Sequence, residues 1–120
     1  MKYIVIIYGN KDLWESFPPD AAAKAIAQQD AVNKRYSESG ELLGAYGLGD
    51  ELTAKTVRVR EGVPAVTDGP YIEAKEFVSS FCLLDVENEA RALEIAAQMP
   101  FASQNAGEVW PILHEAGNEM

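Results

Sequence analysis

The sequence predicts an α+β fold built on an antiparallel sheet, and three observations predict it. Two near-continuous apolar runs, Tyr3 to Tyr8 and Phe77 to Val86, are rich in the β-branched and aromatic residues that favour strands. Two longer segments bounded by Pro, Gly or Asn carry the start and stop signals of helices. Between them, Lys55 to Arg60 alternates cleanly and turns through Gly62 into Val63 to Thr67, as a hairpin does.

The elements follow in order. Tyr3 to Tyr8 is a strand closed by a turn at Gly9-Asn10, and Lys11 to Phe17 reads as a loop carrying Trp14 and Phe17. Pro18 and Pro19 suit a helix start and Asp20 favours the positive end of its dipole; the helix runs to about Ser39, with Gly40 as a left-handed terminator. Glu41 to Gly49 is a Gly-punctuated strand, followed by the hairpin and the Asp68-Gly69-Pro70 turn. After the Phe77 to Val86 strand, Asn88 caps a helix to Met99 that Pro100 stops. Glu108 to Leu113 closes the chain's ordered pattern as a strand, with Pro111 marking an edge or a bulge. This order is the split β-α-β pattern of ferredoxin-like folds with an added hairpin strand, in a single domain spanning residues 1–120. Tyr3 to Tyr8 and Phe77 to Leu84 are apolar on both alternating faces, yet two helices cover only one. A second copy of the chain is the expected cover for the other, which makes a homodimer the expected state.

Composition sets the limits. The chain has 120 residues, 48% of them hydrophobic and 24% charged, enough for one core without disulfide or metal staples. Ten Lys and Arg against nineteen Asp and Glu give a formal charge of −9, so direct nucleic-acid binding is not expected. Lys55, Arg58 and Arg60 are the local exception and read as a solvated face. Cys82 lies in an apolar run and reads as a core thiol. No stretch has the length of a membrane helix and none is laid out as a signal peptide, so no membrane partner and a cytoplasmic location are expected. His114 lacks the spaced partners of a metal site, and no Gly-rich phosphate loop precedes a helix; neither a metal nor a cofactor is expected.

Two irregularities point to chemistry. On a helical wheel Ala22, Ala25, Ile26, Val32 and Tyr36 form an apolar stripe, with Gln29 near its centre and Asn33 within it. Two amides facing a sheet either find backbone partners or line a wet cavity. In Asp68-Gly69-Pro70, Gly permits a positive φ and Pro sets the next one, so the turn aims its Asp. Either the Asp68 carboxylate holds the turn, or it points into a cavity as a base, acid or ligand anchor.

The stretch Val66-Thr67-Asp68-Gly69-Pro70-Tyr71-Ile72-Glu73-Ala74-Lys75-Glu76 resembles the signature of the YCII-related family in its DGPF subgroup, Asp-Gly-Pro-Phe-Ala-Glu-Thr-Lys-Glu. Asp68, Gly69, Pro70, Glu73, Lys75 and Glu76 match; Tyr71, Ile72 and Ala74 depart. Met1-Lys2-Tyr3, Tyr8-Gly9, the Thr56 to Arg60 strand and Val109-Trp110-Pro111-Ile112 resemble it too. The resemblance implies a dimer of the α/β-barrel type with sheets face to face, and small-molecule chemistry using an Asp and a His near a cleft. The Asp would be Asp68, and Lys75 would neutralise an anionic ligand beside it. The family's frequent first-helix histidine falls on Gln29, which cannot exchange a proton near neutral pH. A histidine-aspartate pair from these positions is therefore absent.

Two functions fit these residues, and a third comes from the resemblance alone. The first is a cofactor-free acid-base enzyme with a helix-sheet cleft, reached past Trp14, Phe17 and Tyr46, where Asp68 moves a proton on an unknown small molecule. The second is a non-catalytic binding module in which Gln29, Asn33, Asp68, Gly69, Pro70 and Lys75 hold the ligand. Relatives encoded beside sigma factors imply the third, a regulatory accessory to transcription.

Overall fold

The structure is a computed structural model that describes residues 1–72 and 74–117. Strand β1 (Lys2–Gly9) leads into α1 (Lys11–Glu15) and the long α2 (Ala21–Glu38), followed by β2 (Leu42–Gly47). A short 3-10 turn at Glu51–Thr53 precedes β3 (Lys55–Arg60) and β4 (Val63–Asp68). Then come β5 (Phe77–Asp85), α3 (Glu89–Ala96), α4 (Phe101–Gln104) and β6 (Gly107–Pro111). The main sheet has the order β2-β5-β1-β6 with every neighbouring pair antiparallel, which is the ferredoxin-like arrangement. The hairpin adds a separate two-stranded sheet, β3-β4.

Strand register decides which face is buried. Tyr3 lies opposite Leu84 and Val5 opposite Cys82, and these four pack with Val32 and Tyr36 of α2 and with Ala92, Ile95 and Ala96 of α3. The other face carries Ile4 opposite Leu83 and Trp110, Ile6 opposite Phe81, and Tyr46 stacked on Phe81. These side chains stay half-buried or exposed, because α2 and α3 both contribute to the opposite face. Arg91 on α3 forks onto Glu41 at 2.7 and 2.9 Å, fastening the start of β2 to α3.

Three departures from the sequence reading have local causes. Lys11 to Phe17 is not wholly a loop: Asn10 accepts a hydrogen bond from Leu13 N–H at 3.0 Å and caps α1. The helix expected to reach Met99 ends at Ala96, and Pro100 begins α4 rather than ending structure, since a helix start needs no proline N–H. The apolar stripe on α2 is only half used. Val32 and Tyr36 are buried, whereas Ala22 is exposed and Ile26 is 62% exposed, so the first turns of α2 stand clear of the sheet.

The hairpin stands apart from the body, with Thr56 half-buried and residues 57–68 exposed. The chain as a whole is extended, with an accessible surface of 8468 Å² against about 6,400 Å² for a compact monomer of this mass. The radius of gyration is 16.5 Å, where about 14 Å is usual for the length. No helix among the described residues is long and apolar enough to cross a membrane, and among them no cluster of three His, Cys, Asp or Glu is placed to hold a metal.

Candidate functional site

Because the first half of α2 lifts away, a cleft opens between that helix and the sheet. Trp14 wedges its mouth: Gly9 has no side chain to collide with the indole, which meets Phe77 edge-on at 5.7 Å between ring centroids. The cleft has two adjoining chambers. The outer, about 330 Å³, is lined by Ile7, Trp14, Ala25, Gln29, Ser80 and Phe101, among others. The inner, about 230 Å³, is lined by Ile7, Gln29, Asn33, Ala45, Ser80 and Cys82, with Tyr46 and Phe81 at its edge. Phe17 lies beside Trp14 in a neighbouring groove along α2.

Gln29 belongs to both chambers and donates from Nε2 to Asn33 Oδ1 at 2.9 Å. Helical spacing of four residues brings the two amides together. Gln29 keeps its carbonyl oxygen and Asn33 its amide N–H groups without a protein partner among the described residues. No charged side chain lines either chamber among those residues. Cys82 is buried and burial pushes its thiol up to about 11, so it is a neutral thiol at physiological pH.

The other expected site residues lie elsewhere. Asp68 ends β4, is 86% exposed, pairs with Lys55 and lines neither chamber. The turn after it is held by other groups: Gly69 has φ 90°, its N–H donates to Ala54 C=O at 2.8 Å, and Thr56 Oγ1 donates to its C=O at 2.9 Å. Lys75 lies 3.9 Å from Asp12 with both side chains exposed. Glu73 lies outside the described residues. Pro70 helps line a larger cavity, about 630 Å³, with Tyr8, Leu48, Tyr71, Phe77 and three carboxylates, Asp50, Glu51 and Glu76.

Size alone does not make that cavity the better site. Lys11 pairs with Asp50 at 2.9 Å and with Glu51 at 3.0 Å, leaving Glu51 Oε2 buried without a partner. Glu76 accepts from Asn105 Nδ2 at 2.9 Å and Asn10 Nδ2 at 3.1 Å, which holds its carboxyl below the usual range. It thereby ties the α1 cap to the end of α4. No sequence signal could show this, because the three residues are far apart in the chain. Asp50 and Glu76 there are committed to structure and Glu51 keeps one free oxygen, whereas the cleft pairs a free carbonyl with free amide N–H groups on neighbouring side chains.

The fold and cleft define an α+β ferredoxin-like domain with a neutral, amide-bearing site between its first long helix and its sheet. A family model for the YCII-related domain matches residues 1–116, and the chain belongs to that family. An uncharacterised protein of Rhizobium meliloti (strain 1021) is 29% identical over 114 residues, covering 93% of this chain and 92% of the relative. Among solved structures, the 5-chloro-2-hydroxyhydroquinone dehydrochlorinase of Burkholderia phenoliruptrix AC1100, in complex with 2,5-dihydroxybenzoquinone, is similar with a TM-score of 0.45 and 13% identity. The similarity covers 96% of each chain.

Proposed function

We propose that the chain binds a small, uncharged, planar molecule in the cleft under α2, as a homodimer. The observation that carries this reading is the Gln29-Asn33 pair, which offers one carbonyl acceptor and one amide donor on an uncharged wall that also carries Ile7, Trp14, Ala25 and Phe101 beside the hydroxyls of Ser79 and Ser80. A planar ring with a hydrogen-bond donor next to an acceptor satisfies both amides while its faces meet apolar side chains. The neutral lining favours an uncharged ligand over an anion. It also favours binding over acid-base catalysis, since amides, serine hydroxyls and a thiol near 11 do not exchange protons efficiently at neutral pH. Asp68 and Lys75 act on such a ligand only from outside the chambers described here.

The dimer reading rests on area. The excess of about 2,000 Å² over a compact monomer is what each partner hides in an extensive permanent interface, and the Ile4, Ile6, Phe81, Leu83 and Trp110 face supplies the apolar surface. The binding claim is tested with 2-pyridone, which has adjacent N–H and C=O, titrated into ¹⁵N-labelled protein. Saturable shifts of the Gln29 and Asn33 side-chain amide signals, absent with N-methyl-2-pyridone, are expected. Equal response to both compounds, or shifts confined to other residues, would overturn the reading.

A further inference from the structure

We propose that the β3-β4 hairpin is an arm that clasps a second copy of the chain. This rests on the homodimer reading above and adds the element that holds the dimer. Register places Val57 opposite Val66 and Val59 opposite Pro64, so one face of the hairpin is apolar over its whole length beyond the Lys55-Asp68 pair at its root. Val57, Val59 and Val66 are 62% to 66% exposed. A two-stranded sheet with an uncovered apolar face is marginal in water by itself. Within its own chain the arm is tied at the root, by the Gly69 and Thr56 hydrogen bonds, and by Arg58 lying over the Tyr71 ring at 4.9 Å. Those ties leave the valine face free.

Two features of the chain select a second copy as the occupant. Val57, Val59, Val63 and Val66 on this arm and Tyr46 and Trp110 on the open sheet face are exposed large hydrophobic residues, and an isologous contact covers the same patches on both chains at once. Lys55, Arg58 and Arg60 outnumber Glu61 and Asp68, so the arm has a small positive balance in a chain of net charge −9. That balance draws the arm to the acidic body of another copy.

The test is sedimentation of the full chain and of Val57→Asp/Val66→Asp, with circular dichroism to check the body's fold. The expected result is a dimer for the parent and dimerisation weakened by about 100-fold or more in the variant, as burying two carboxylates in an apolar contact requires. A dimeric variant of unchanged affinity would overturn the arm and leave the homodimer standing. A monomeric parent would overturn both. If the variant does not fold, a nitroxide on Val59→Cys in a mixed dimer decides: broadening of signals from the unlabelled, ¹⁵N-enriched partner is expected, and broadening confined to the tagged protomer would overturn the arm.

Discussion

Gln29 and Asn33 lie one turn apart on α2 and share a single hydrogen bond, Nε2 to Oδ1 at 2.9 Å, so each amide keeps capacity to spare on the cleft wall. Replacing Gln29 with Leu removes both the bond and the free carbonyl. Affinity for 2-pyridone is expected to fall about tenfold or more, while stability to urea changes by less than about 1 kcal/mol, because the amide is only half-buried. A large loss of stability with unchanged affinity would mean that the pair serves the fold instead.

Gln29→His reads the polarity of the same wall. With no charged side chain lining the chambers among the described residues, desolvation dominates and the imidazole should titrate below the usual ~6.5. NMR titration of the ring protons measures it. A value raised above ~6.5 would reveal a carboxylate close to residue 29, such as Asp68 brought in by a partner chain.

Asp68→Asn removes the exposed ion pair with Lys55 and leaves the backbone bonds of the turn in place. Exposed pairs contribute little, so the melting temperature should move by no more than about 3 °C. A drop of about 10 °C or more would show that the carboxylate is needed to hold the turn.

The Glu41-Arg91 fork predicts an acid limb of stability. Arg91 first, then Ser39, lowers the Glu41 carboxyl from 4.5 to about 2. A folded pKa below the unfolded one stabilises fully above about pH 4.5 and loses that contribution as the pH falls toward 2. Glu41→Gln should therefore be less stable than the parent at pH 7, with the gap closing as the pH approaches 2. Urea unfolding across that range checks it, and a gap that stays constant with pH contradicts it.

Much of the architecture was legible because it depends on local signals. The two apolar runs became the central strands β1 and β5, and Gly40 and Gly69 adopt φ of 83° and 90° as the helix stop and turn required. The split β-α-β pattern and the strands apolar on both faces followed from topology rules and alternation. The misses are tertiary. The cap on α1 needed Asn10 to win over the loop-like Lys11 to Phe17, and α4 needed Pro100 to begin a helix instead of closing one. Ile26 sits on the predicted stripe yet is exposed, because periodicity gives a face but not how closely that face approaches the sheet. The placement of Gln29 and Asn33 against the sheet was readable from spacing; the distance of Asp68 from them was not, since it depends on where the hairpin stands.

The central claim is tested most directly by a crystal structure of the protein grown with 2-pyridone. The account predicts the ring in the chamber between α2 and β5, its N–H donating to Gln29 Oε1 and its C=O accepting from Asn33 Nδ2. A ring seated instead among Pro70, Tyr71 and Phe77, or an empty cleft in which the two amides have turned to backbone partners, would contradict it.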